Sequence, residues 1–136
     1  MNYWLVKSEP YKWSWDQQKE KGACRWMKPV RNYQARNNLK LMEKGDRAFF
    51  YHSNEGKEIV GILEIMREHY PDPLDETGKF VTVDVAPLKD FSTPVSLTDI
   101  KGHEDLAGMS FIRQSRLSVS PVTEKEWNAI LKMGGL

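Results

Sequence analysis

Four short segments concentrate side chains that can hold a ligand. The first is Lys7-Ser8-Glu9-Pro10, the polar end of the apolar, aromatic run Asn2–Val6. A cation, a hydroxyl and a carboxylate arriving together suit either a solvated turn or a strand that carries polar groups to a pocket mouth. The second is WMKPVRNYQARNN, Trp26 to Asn38, with one Trp, one Tyr, two Arg, three Asn and one Gln. Planar amides and guanidinium groups match the donor and acceptor pattern of a base edge, and Trp26 and Tyr33 offer faces for stacking. The same residues also fit a polar helix N-terminus beside one buried Trp. The third is FFYHSNEGKEIVG, where Tyr51, His52, Ser53 and Asn54 gather at a strand end. Phe49 and Phe50 point to opposite faces there, so one of them is expected in the core. The fourth is FIRQSRLSVSP, in which Arg116, Ser118 and Ser120 share one face of an extended segment and suit phosphate or a solvated edge.

Enzyme motifs are missing from the sequence. One cysteine, Cys24, and three scattered histidines give no zinc spacing. There is no phosphate-binding or dinucleotide glycine loop and no G-x-S-x-G elbow. His52 and Ser53 are adjacent, which on a strand turns them to opposite faces. No catalytic residue, cofactor or metal is expected. Aromatic plates interleaved with amides and hydroxyls suit a neutral, planar, hydrogen-bonding ligand, as a nucleobase is.

The elements that must position these groups are mostly strands. Tyr3–Val6, Arg47–Tyr51, Glu58–Met66, Phe80–Ala86 and Leu117–Val122 read as strands, the fourth half-buried with Val81, Val83 and Val85 on one face. Ser14 with Gln17, and Thr123 with Glu126, form capping-box patterns at two helix starts, with stops near Gly22 and Gly134. Ala35, Leu39 and Met42 at i, i+4, i+7 predict an amphipathic helix after Arg31. Pro71 to Lys79 reads as a loop between strands. Many strands with short helices between them predict a small β-barrel with helical decorations.

The 136 residues suit one domain, 1–136, with 40% hydrophobic and 29% charged residues. The formal net charge is only +1. It hides seven basic residues against two acids between Arg25 and Arg47, and nine acids against three lysines between Glu68 and Asp105. Either the two faces mix in space or the basic segment faces a phosphate backbone. A single cysteine fits a reducing, cytoplasmic setting. Neither a signal peptide nor a run of the roughly 18 apolar residues that a membrane span needs is present, and a monomer is expected.

Taken together, YWLVKSEP, W…VRNYQARNNL, GD..FFYHSNEGKEIVGI and RQSRLSVSPVT resemble the EVE domain family of the PUA-like superfamily, in the family's order and over essentially the whole chain. The resemblance implies an α+β fold, a PUA-like twisted β-barrel decorated with short helices. It implies a pocket similar to that of the related YTH domains, which hold a methylated adenine in an aromatic cage. The implied function is recognition of a modified base in nucleic acid, above all a modified cytosine in DNA. Implied pocket residues are Lys7, Ser8, Glu9, Trp26 at the place of the cage tryptophan, Val30, Asn32, Tyr33, Tyr51, His52, Ser53, Ser115 and Ser118. Ser8 and Asn32 are expected to read the base edge, and Trp26 to be replaceable without unfolding. Arg31, Arg36, Arg113 and Arg116 are expected on phosphate. Members usually carry W-x-G-V-R-N, whereas Pro29 stands here in place of the glycine. Two alternatives stay open: an RNA-binding module linked to RNA modification, and an amidohydrolase acting on acylated nucleosides. The second is similar to ASCH enzymes that use a lysine and a carboxylate, with Lys7 and Glu9 as a loose match on one strand face.

Overall fold

The computed structural model describes residues 1–136. The chain runs β1 (Tyr3–Ser8), α1 (Trp15–Lys21), β2 (Cys24–Arg25), α2 (Tyr33–Leu41), β3 (Arg47–His52), β4 (Glu58–Pro71), β5 (Val81–Ser96), α3 (Leu97–Lys101), α4 (Ser110–Arg113), β6 (Val119–Val122) and α5 (Glu124–Met133). All strands belong to one sheet in the order β2-β5-β4-β3-β1-β6. Only β1 and β3 are parallel, and α1, β2 and α2 form the crossover between them. The sheet curls until α2 reaches both β5 and the far edge, where Asn38 Nδ2 donates to Val119 O at 2.7 Å.

Both faces of the sheet are covered, and strand alternation divides the core in two. Trp4, Val6, Ala48 and Phe50 pack with Trp15, Trp26 and the α2 residues Ala35 and Leu39. Leu5, Phe49 and Tyr51 pack on the other side with Ile100, Phe111, Trp127 and Ile130 from α3, α4 and α5. Phe49 and Phe50 are therefore both fully buried, where one core residue was expected. For the same reason Thr82 is buried like its valine neighbours.

Local chemistry sets the helix ends. Both capping boxes form, at Ser14/Gln17 and Thr123/Glu126. The strands outrun their sequence signals: β4 and β5 continue to Pro71 and Ser96, and β1 continues through Lys7 and Ser8. Gly61 in β4 is required by packing, because a Cβ there would lie 2.2 Å from the Trp15 ring. Pro121 sits on β6, an edge strand, where a missing N–H is tolerated.

Candidate nucleic-acid interface

The end of β1 is held between two turns. Lys7 N donates to Ser118 O at 2.9 Å, and Ser53 N donates to Ser8 O at 3.0 Å. This brings the β3–β4 turn and the α4–β6 turn to either side of Lys7 and Glu9. The segment after β2, anchored by Trp26 N donating to Val83 O at 2.9 Å, supplies a further wall. The four segments enclose a cleft of about 280 Å³ lined by Lys7, Glu9, Trp26, Lys28, Pro29, Val30, Ser53, Asn54, Ser115, Arg116 and Ser118.

Three cations and one carboxylate face this cleft, and their partners are specific. Lys7 Nζ donates to Ser115 O at 2.8 Å, and burial holds its ammonium below the ordinary lysine range. Glu9 is bracketed by Lys28 at 3.0 Å and Lys12 at 3.3 Å. Burial pushes its carboxyl up, but the two lysines more than offset this and keep it below the usual value. Glu9 is thus a fixed acceptor, with lone-pair sites beyond its two ion pairs. None of the chain's six ion pairs uses Arg113 or Arg116. Both line a groove that continues from the cleft past Asn32, Gln34 and Gln114.

Eight residues named from the sequence meet at the cleft: Lys7, Glu9, Trp26, Val30, Ser53, Ser115, Arg116 and Ser118. Tyr51 lines an adjoining recess instead. Ser8 does not line the wall. It is fully buried, and its hydroxyl donates to Trp13 O, tying down the loop before α1. His52 also turns away, its Nε2 accepting the Trp15 N–H at 3.0 Å. Burial holds the His52 imidazole below its ordinary range, despite the nearby Glu58 and Asp16 charges. Asn32 is the N-cap of α2, its side chain accepting from Ala35 N at 2.9 Å, and it borders only the groove. Tyr33 is exposed, stacks on Phe80 and carries the Arg36 guanidinium over its ring.

The remaining arginines divide by charge partner. Arg31 pairs with buried Asp72 at 2.8 Å, so here the basic and acidic segments do mix in space. Arg36 donates to Lys79 O and Asn37. Trp26 is only 3% exposed and meets Phe50 edge-on at 5.6 Å, making it core as well as wall. Its replacement therefore lowers stability as well as altering the wall. Lys28, Pro29 and Asn54 were not singled out for the wall. Their signal was their place inside the two aromatic-polar blocks. Lys28 and Pro29 avoid left-handed backbone, so Pro29 is compatible with this rim.

The family model for the EVE domain matches residues 2–133. The chain belongs to the EVE domain family. A crystal structure of an Agrobacterium tumefaciens protein is 50% identical with a TM-score of 0.94, covering 100% of this chain and 94% of that one. Mouse thymocyte nuclear protein 1 is 34% identical, over 97% of this chain and 73% of its own length. The human THYN1 protein, solved in complex with 5-methylcytosine containing DNA, is 30% identical with a TM-score of 0.90, covering 100% of this chain and 99% of that one. A YTH domain of Zygosaccharomyces rouxii, 15% identical with a TM-score of 0.62, shares the fold. The expected α+β fold is thus shown, as one curled six-stranded sheet decorated with short helices. No helix is long and apolar enough to cross a membrane.

Proposed function

We propose that this EVE domain binds a modified cytosine in DNA, without catalysis, in the cleft at the end of β1. The observation that carries the reading is the cleft itself. It joins a tryptophan wall, a fixed carboxylate acceptor and three cations at one strand end. A chain of the same fold is found in complex with 5-methylcytosine containing DNA. The largest cavity, about 520 Å³ beside Met1 and Pro121, is lined by Glu43 and Glu124 and by no lysine or arginine side chain, which suits a nucleic-acid strand poorly.

Each wall has a part in this reading. Glu9 accepts from the exocyclic amine of cytosine, a group that thymine lacks. Trp26 and Val30 contact the ring and its added group, and Arg113 and Arg116 hold the strand along the groove. Lys7 and Glu9 each have other partners, at Ser115 and Lys28, and this supports binding over a paired hydrolytic role. Turning a base out of a duplex costs a few kcal/mol, which stacking at about 1–3 kcal/mol per base only balances. Burying a methyl group adds about 0.8 kcal/mol, so discrimination of about fourfold is expected.

The test is a titration with single-stranded and duplex DNA, and matching RNA, carrying cytosine or 5-methylcytosine at one position. Preference for the modified DNA is the expected result, with Glu9→Gln weakening both cytosine strands alike. Equal affinity for modified and unmodified strands would remove the reading, and tighter binding of the RNA would redirect it.

A further inference from the structure

The β3–β4 turn holds the only two non-glycine residues in left-handed backbone, Asn54 at φ +66° and Lys57 at φ +49°. Asparagine tolerates this conformation, but a lysine has no local hydrogen bond to offset it. The turn is held in place by Leu97 N, at the start of α3, donating to Lys57 O at 2.9 Å. Strain of this kind persists where surrounding structure over-determines it, and it clusters at ligand sites.

Both strained residues border one recess of about 160 Å³ that adjoins the base cleft. Lys7, Ser53, Asn54 and Ser115 belong to both walls. Lys7, Lys57 and Lys101 line the recess and no carboxylate does. Neither Lys57 nor Lys101 takes part in any ion pair of the chain. Tyr51 and Phe111 back it, both buried and packed edge to face. Burial pushes the Tyr51 hydroxyl up to about 12, so it remains a donor at neutral pH. Ammonium, hydroxyl and amide donors without a competing acid make an anion site. The volume is little more than half that of the base cleft, and the buried aromatics leave no open face for a second base.

We propose that this recess receives the phosphate next to the modified nucleotide, on the side away from Arg113 and Arg116. The assignment rests on the reading of the main cleft as the base site. Ser115 borders the groove, the cleft and the recess, so the three lie in sequence around one turn. A strand crossing that turn places its base in the middle and a phosphate at each end.

Lys57→Gln, Lys101→Gln and the double variant test this against three ligands: 5-methyl-2′-deoxycytidine, a short single strand with one central 5-methylcytosine, and its unmodified counterpart. Each substitution is expected to lower the slope of log affinity against log salt by about 0.7 and to weaken strand binding several-fold at low salt. Nucleoside affinity should stay unchanged. A double variant with the wild-type slope and strand affinity overturns the proposal, as does a wild-type protein that binds the strand no better than the nucleoside. Inorganic phosphate separates the two anion sources. Phosphate that saturates the wild type without competing with the strand would mean that the recess serves a free anion, which also overturns it. If modified and unmodified strands bind alike while both lysine variants still lose slope, the base reading fails and the phosphate site stands.

Discussion

Replacing Trp26 separates its two jobs. The indole is 3% exposed and lies edge-on to Phe50 at 80°. Trp26→Ala removes a buried aromatic at about 3–5 kcal/mol, of which about 0.5–1.5 kcal/mol is the lost ring pair. A domain of this length has on the order of 7–20 kcal/mol of stability, so the variant still folds at low temperature. Its melting temperature should fall by roughly 10–20 °C. Only a strip of the ring reaches the cleft, so the affinity loss should lie near the low end of stacking, about 1 kcal/mol. Trp26→Phe keeps a ring against Phe50 and should recover most of the stability but not all of the affinity. Urea unfolding gives the first quantity, and nucleoside titration at 10 °C, below both midpoints, gives the second. An alanine variant that melts within about 3 °C of the wild type would refute the core placement. A folded variant with undiminished affinity would refute the contact.

Three further outcomes follow from named contacts. Asn32→Ala should cost about 1 kcal/mol by uncapping α2 while leaving the ranking of cytosine and 5-methylcytosine intact; a changed ranking at constant stability would make Asn32 a reading residue. Folded His52 resists protonation more than the unfolded chain, whose ordinary value is about 6.5, so stability should drop as pH falls from there toward the folded value. Urea midpoints in that window should flatten in His52→Gln, and a wild-type protein equally stable on both sides of it would refute the burial of a neutral His52. Gly61→Ala drives a Cβ into the buried Trp15 ring and should cost about 1–3 kcal/mol, visible as a lowered melting temperature; an unchanged one would mean that α1 is not seated on β4 as described.

What was legible in the sequence was local. The helix starts at Ser14 and Thr123 depend on partners three residues away, and both boxes form as read. The strand centres carried β-branched and aromatic runs, and each lies in the sheet. The elements that escaped are those without a period: two-residue β2, and the short helices α3 and α4. The family blocks placed Lys7, Glu9, Trp26 and Ser118 in a shared neighbourhood before any contact was known.

Only the tertiary structure decided which polar groups face the cleft. Ser8 and His52 lie beside wall residues in sequence, yet their hydrogen bonds to Trp13 and Trp15 turn them toward the seating of α1. Arg31 and Arg116 look alike in composition, but Asp72, 41 positions beyond Arg31, neutralises one and leaves the other in the groove. Phe49 and Phe50 are both buried because helices from distant parts of the chain cover opposite faces of one sheet. A capping pair is settled within one turn of backbone. The partner of a charge, or the cover of a strand face, is set by which remote segment the topology brings within a few ångströms.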